Sequence, residues 1–307
     1  MSTPADSSSN RLDPGRAGAT AVAGYVIWGV SPIFYKWLEF AGPSEVVLHR
    51  VIWSAPLLLA ILWFAGRTTQ AFTLLADRKA IATLALTALL IGFNWWLFVY
   101  AITVDRVLEV SLGYFINPLM NVAVGVIIAR ERFGRWRALA VGLAALGVIN
   151  LVVSAGVIPW IGLALAVSFT GYAYLRKTIA TDGRIGLFWE TLLLLPLSLI
   201  ALVWMERSGG GGSFLADPGQ AVLLIMTGPM TVLPLLFFII GARGLHFATI
   251  GILQFIAPSL QFATGIAYGE PFTSAHAVTF ALIWSGLAVF VFDLLRFERQ
   301  QRRASST

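Results

Sequence analysis

The residues that could do chemistry cluster around two prolines. Ser111, Tyr114, Asn117 and Asn121 recur at spacings of three, three and four beside Pro118, so on a helix they share one polar face. Gln254 and Gln261, seven residues apart around Pro258, are expected to share a face in the same way. The chemistry such groups suit is hydrogen bonding to a polar solute. Each proline removes a backbone donor and crowds the carbonyl four residues earlier, at Tyr114 and Gln254. In lipid, freed carbonyls have to face protein or a wet cavity. The competing use of both stripes is interhelical hydrogen bonding, worth about 0.6 kcal/mol per contact in membranes.

Other segments add polar and aromatic groups. Asn94 lies well inside an apolar run and its amide needs a partner, which makes it a second cavity candidate. Trp95 and Trp96 point about 100° apart on a helix, so only one can face a cavity squarely, and Trp96 is taken here with Trp28 as an aromatic wall. Tyr25, Trp28 and Pro32 form one stripe and Ser31 and Tyr35 another. Ionisable residues inside spans are functional candidates by default. Glu190 is therefore a candidate proton-coupling site. His49 and Arg50, near Glu45, read either as an interfacial ion pair or as an outer gate that attracts anions. Glu131 and Glu270 end matching segments and are expected to pair locally.

The elements that position these residues are membrane helices. The chain has 307 residues, 58% of them hydrophobic and only 12% charged, against about a quarter charged in soluble domains. Apolar runs of about 20 residues, the length that crosses the hydrocarbon, fall at 18–38, 46–65, 80–101, 107–128, 136–154, 157–175, 185–205, 219–241, 247–268 and 273–295. The expected class is all-α, a polytopic membrane protein with ten transmembrane helices. The first run is read as a retained helix and not a cleaved signal peptide. Of the 21 Lys and Arg residues, 17 fall on one side of this arrangement, in the N-terminal tail, alternate loops and the C-terminal tail. The positive-inside rule then places both termini in the cytoplasm. The net charge of +6 is accounted for by these loops, and nucleic-acid binding, which needs a basic domain surface, is not expected.

The two proline segments are also copies. At an offset of 140, Phe115 pairs with Phe255, Ile116 with Ile256, Pro118 with Pro258 and Gly125 with Gly265. After a one-residue gap, Glu131 pairs with Glu270 and Gly147 with Gly286. Five spans per half is an odd number, so the second half enters the membrane upside down. Two inverted five-helix repeats supply a physical basis for alternating access. The expected organisation is a disordered tail over 1–17, a first repeat over 18–154, a second over 155–296 and a cytoplasmic tail over 297–307.

Several chemistries are absent. There is no G-x-x-x-x-G-K-[ST] phosphate loop, no H-E-x-x-H and no G-x-S-x-G elbow. The three histidines are scattered, and without cysteine neither a thiolate metal site nor a disulfide framework can form. No cofactor, metal site or enzymatic activity is expected.

Asn94-Trp95, the run Leu108-Glu109-Val110-Ser111-Leu112-Gly113-Tyr114-Phe115-Ile116-Asn117-Pro118-Leu119, Arg130-Glu131-Arg132 and His49-Arg50-Val51-Ile52-Trp53-Ser54 together resemble the RarD family. That family belongs to the EamA branch of the drug/metabolite transporter superfamily. The resemblance covers roughly residues 20–296, and Val110 stands where a smaller residue is expected. It implies a bacterial inner-membrane permease or exporter with a central cavity, and a link to chloramphenicol sensitivity or resistance. Two functions are carried forward. One is a secondary exporter of small organic metabolites or drugs, with the proton as its coupling ion if it has one. The other is a non-transporting membrane sensor or scaffold. The expected partners are a small-molecule substrate and the lipid bilayer; oligomeric state is not set by the sequence.

Overall fold

A computed structural model describes residues 14–127, 134–156, 158–179, 181–208, 212–242, 245 and 247–304. Among these residues the chain forms twelve α-helices. They are α1 Pro14–Lys36, α2 Pro43–Phe64, α3 Thr68–Thr73, α4 Arg78–Thr103, α5 Val107–Ile127, α6 Arg135–Ala155, α7 Trp160–Lys177, α8 Gly183–Arg207, α9 Pro218–Ala242, α10 Phe247–Leu253, α11 Ile256–Ala267 and α12 Ser274–Ala304. A 3-10 turn over Leu74–Ala76 follows α3. Seven helices (α1, α2, α4, α6, α8, α9 and α12) are long and apolar enough to cross a membrane.

Local chemistry explains the boundaries. Pro43 and Glu45 occupy the first turn of α2, where a missing N–H costs nothing and a carboxylate faces the positive end of the helix. Asp77 caps α4 by accepting from Ala80 N at 3.0 Å, and Asp182 caps α8 by accepting from Arg184 N at 2.9 Å. Gly156 ends α6 in the left-handed conformation, φ 65°, which glycine adopts without steric cost. The short link that follows does not fold α7 back against α6 as a hairpin: α6 packs on α12, and α7 on α4 and α5.

Polarity is inverted relative to a soluble protein. Trp63, Phe64, Ile200 and Trp204 are exposed, whereas Ser111, Thr87, His49 and Glu190 are buried. Lipid-facing apolar surface around a polar interior is the arrangement a bilayer demands.

The packing has an internal correspondence. α1 packs on α9 and α11, while α7 packs on α4 and α5; α2 meets α8, α5 meets α11, and α6 meets α12. The α6–α12 contact is reciprocal. A methyl group added at Gly147 would fall 3.0 Å from the Thr279 carbonyl and 3.4 Å from Leu282 Cβ. One added at Gly286 would fall 2.7 Å from the Ala140 carbonyl and 3.4 Å from Leu143 Cβ. An offset of 139 maps Ala140, Leu143 and Gly147 onto Thr279, Leu282 and Gly286. A two-fold relation between the two helices generates such paired contacts. Phe115 and Phe255, also offset partners, stack with ring centroids 6.4 Å apart.

Three expectations need correction. The span expected over 247–268 is two helices, α10 and α11, separated by a turn at Gln254 and Phe255. Pro258 occupies the third position of α11, where its missing N–H would have had no helical partner. The break separates Gln254 from Gln261, so a spacing of seven no longer puts them on one face. α12 continues to Ala304, beyond the expected boundary at 296, because the Arg, Gln and Glu residues that follow are good helix formers. α1 begins at Pro14, inside the segment read as tail. Glu131 lies outside the described residues.

Candidate functional site

At the end of the bundle away from α1's first residue and α12's last, polar contacts tie the loops together. Lys36 pairs with Asp105 and Glu39, and Arg106 pairs with Glu109. Glu270 accepts from Val107 N at 2.5 Å and Leu108 N at 2.8 Å. It thereby caps the first turn of α5 from the link that follows α11, a helix packed directly on α5. Burial pushes its carboxyl above the ordinary glutamate range, against the two amide hydrogen bonds. Glu45 accepts from Ser213 N at 2.6 Å and Ser213 Oγ at 3.1 Å. His49 stacks on Phe214 at 4.9 Å, and its Nδ1 accepts from Trp53 Nε1 at 3.2 Å. His49 thus belongs to this seal.

Beneath the seal lies a layer of side chains at one depth. Trp28, Arg50, Trp95, Tyr114 and Gln261 each sit six to eight residues inside the sealed ends of α1, α2, α4, α5 and α11. At 1.5 Å per residue that is about 9–12 Å. Arg50 is 7% exposed. Its guanidinium lies 4.3 Å from the ring centroid of Trp95 and 5.7 Å from that of Tyr35. A desolvated cation–π contact is worth about 2 kcal/mol. A cation at a helix centre costs roughly 2.5–3.5 kcal/mol on insertion scales. The two rings therefore offset much of the burial cost without neutralising the charge. Tyr114 lies within electrostatic reach of both Arg50 and Tyr35, and contacts Phe98 and Phe169 edgewise or tilted.

Several buried polar atoms around this layer have no hydrogen-bond partner among the described residues. They are Arg50 Nε, Tyr35 Oη, Ser54 Oγ, Asn117 Oδ1 and Gln261 Oε1. Ser54 is one turn from Arg50 on α2, and Asn117 is one turn from Tyr114 on α5. Buried polar atoms are normally satisfied, so a group of them in one region marks a place where a solute would find partners.

The other candidates are distributed differently. Asn94 is 2% exposed, and both hydrogens of its amide go to α7, to Leu165 O at 3.0 Å and Ser168 Oγ at 2.8 Å. It fastens α4 to α7. Trp96 leaves the layer: its Nε1 donates to Ser44 Oγ at 3.1 Å and its ring stacks on Tyr100 at 5.3 Å. Of the tryptophan pair, Trp95 faces Arg50. The spacing of Ile91, Trp95, Phe98 and Ile102, all buried, was the signal for that orientation. Ser111 donates to Pro258 O at 2.8 Å, joining the two proline helices. Trp28 supplies its carbonyl to Gln261 Nε2 at 3.3 Å, and its ring packs on Tyr25 and Phe238. Gln254, at the helix break, is half-buried, and Asn121 is exposed.

Glu190 sits in a second polar cluster nearer the opposite end. Its side chain is 0% exposed; it accepts from Thr87 Oγ1 at 2.8 Å and Tyr172 OH at 3.2 Å, and pairs with Arg176 Nε at 3.5 Å. Tyr35, Trp95 and Ser54 beside Arg50, and Thr87, Tyr172 and Arg176 beside Glu190, were not singled out from the sequence as site residues. At that same end a cleft of about 720 Å³ is lined by Gln70, Asp77, Arg78, Thr181 and Asp182. Arg67 bridges to Asp182 there at 2.8 Å. Burial works to raise the Asp182 carboxyl, but the hydrogen bonds and charge of Arg184 and the charge of Arg67 hold it below the usual range. Among the described residues no cluster of His, Asp or Glu has the grouping of a metal site.

Residues 16–153 match the EamA-like transporter family. Along nearly the whole chain, similarity extends to the protein RarD of Salmonella typhi, 40% identical over 92% of this chain and 96% of that protein. The chain belongs to the RarD family. An uncharacterized transporter of Vibrio cholerae is likewise 40% identical, over 92% of this chain and 94% of its own length. A solved crystal structure shares the fold, with a TM-score of 0.58 at 17% identity over 89% of this chain and 96% of that one. Membership in the RarD family and the seven apolar helices make the chain a multi-pass bacterial membrane protein of a transporter family.

Proposed function

We propose that this RarD-family member is a secondary transporter that moves a small organic solute by alternating access. The observation that carries the reading is the set of unmatched buried atoms Tyr35 Oη, Ser54 Oγ, Asn117 Oδ1 and Gln261 Oε1. They come from four helices, and a solute held among them would satisfy them. In this reading α5, α7 and the α10–α11 pair cross the bilayer with the seven apolar helices, giving ten spans and both termini in the cytoplasm. The halves are inverted repeats, a reading supported by the reciprocal Gly147 and Gly286 contacts. The seal of Glu270, Glu45 and His49 is then the outer gate in its closed position.

If transport is driven by a proton gradient, Glu190 is the buried carboxylate placed to couple it, through its pair with Arg176. The test is flux in proteoliposomes across a metabolite and drug panel, with and without a pH gradient. Chloramphenicol is included because of the family's link to that drug. Flux by the native chain that is lost in folded Asn117→Ala and Gln261→Ala variants is the expected result. Flux unaffected by both variants would remove the proposed cavity. No flux for any member of the panel favours a sensor or scaffold. A Glu190→Gln variant with intact pH-driven flux rules out the coupling role.

A further inference from the structure

We infer that Arg50 is the anchor for a carboxylate, so that the transported solutes are monoanions or zwitterions carrying that group beside an aromatic or apolar body. The inference rests on the transporter reading above and names its substrate class. Lys36, Arg67, Arg106, Arg137, Arg176 and Arg184 all pair with a carboxylate. Arg50, more deeply buried than Arg67, Arg106 or Arg137, makes no ion pair among the described residues. Its face is occupied by Trp95 and Tyr35, which hold the planar group without discharging it. Its Nε is buried without an acceptor.

The neighbouring groups fit an anion. Tyr35 Oη and Ser54 Oγ are unmatched hydroxyls, each able to donate on the helix that carries Arg50 or the one that stacks over it. A guanidinium fork flanked by hydroxyl donors matches the two oxygens of a carboxylate. One positive charge suits one negative charge; a multivalent phosphate would call for convergent cations, which the layer lacks among its described residues. On the α5 and α11 side the unmatched atoms, Asn117 Oδ1 and Gln261 Oε1, are acceptors. They suit a donor on the solute, such as an ammonium or a hydroxyl. The depth of Arg50, about 10 Å inside its helix end, and the seal above it separate it from headgroup phosphates.

The experiment compares matched pairs on the full-length native chain in detergent: 3-phenylpropionate with 3-phenylpropionamide, phenylalanine with phenylalaninamide, and N-acetylleucine with its amide. Binding is read by calorimetry and by ligand-induced shift of the unfolding temperature. The carboxylates are expected to bind about ten-fold or more tightly than their amides, as a charge-assisted contact predicts. Arg50→Gln should collapse that ratio to about one, and Arg50→Lys should keep part of it, since it retains charge but loses the fork. Equal binding of acids and amides by the native chain overturns the anchor without any variant. So does an acid preference that survives in a monodisperse Arg50→Gln protein. Flux separates this inference from the one beneath it. Neutral solutes carried with carboxylates excluded would sink the anchor and leave the transporter standing. Carboxylates bound through Arg50 but never moved would sink the transporter and leave the anchor.

Discussion

Arg50 and Glu190 stand 140 residues apart, at the offset that also superposes Pro56 on Pro196 and Pro118 on Pro258. They are the same position in α2 and α8, two helices that pack on each other. Each is deeply buried, yet the two regions are built on different terms. Both carboxylate oxygens of Glu190 have partners in Thr87, Tyr172 and Arg176, although Thr191 Oγ1 and Arg176 Nη1 beside it are unmatched. Around Arg50 there are ring faces and unmatched hydroxyls. A buried charge with its counter-ion is costly to disturb on one side only. A buried charge without one is, in the proposed reading, open to a charged solute.

That difference is broken or sharpened most strongly by stability measurements. Glu190→Gln leaves Arg176, 14% exposed, without its counter-ion. Breaking a buried pair from one side costs about 3–5 kcal/mol, and the partial exposure of Arg176 puts the expected loss at the low end. Arg50→Gln removes a desolvation cost together with two cation–π contacts, so its net effect should stay within about 1 kcal/mol. Urea or thermal unfolding in detergent micelles reads both. The double variant Glu190→Gln/Arg176→Gln should recover part of the single loss. Equal penalties at Arg50 and Glu190 would erase the distinction between an unpaired and a paired buried charge.

The fold was legible in hydropathy and charge to the level of a multi-helix membrane protein, because a bilayer leaves helices few alternatives. Proline position was legible, but not its consequence. Pro118 sits inside a continuous α5, whereas Pro258 sits in the first turn of a helix that restarts after a break. The two sequences around the prolines do not reveal which will break. The layer around Arg50 was half legible. Polar residues in apolar runs announced themselves, but whether an amide faces a neighbour or a cavity depends on what the opposite helix presents. Asn94 meets a free carbonyl and a serine on α7; Asn117 meets no donor for its Oδ1. The angle of about 100° between Trp95 and Trp96 shows that only one can face inward; the buried stripe of Ile91, Trp95, Phe98 and Ile102 decides that it is Trp95.

A middle-sized test follows from those two asparagines. Asn94→Ala removes two interhelical hydrogen bonds, and at about 0.6 kcal/mol each in membranes the loss is about 1 kcal/mol. Asn117→Ala removes an atom that has no protein partner, so stability should hold while flux falls. Unfolding midpoints and proteoliposome flux measured on the same preparations check the split. A stable Asn94→Ala and an unstable Asn117→Ala would reverse the assignment of glue and cavity.

The smallest effects belong to the two ends, and they have opposite signs. Glu270 at the sealed end has its folded pKa raised above the ordinary 4.5 by burial. As pH climbs past that value the unfolded chain releases this proton first, so the stability present in acid is lost as pH rises through the folded pKa. Asp182 at the other end has its folded pKa lowered below 3.8, with Arg184 and Arg67 outweighing desolvation. Its contribution is present above that value and is lost as pH falls through the folded pKa. Glu270→Gln should therefore flatten the decline on the way up from acid, and Asp182→Asn should flatten the decline on the way down. Unfolding temperatures taken from about pH 3 to pH 7 separate the two windows. If Glu270→Gln leaves the upper window unchanged, its carboxyl is not held in a desolvated place, and the seal over the Arg50 layer is looser than its hydrogen bonds to α5 indicate.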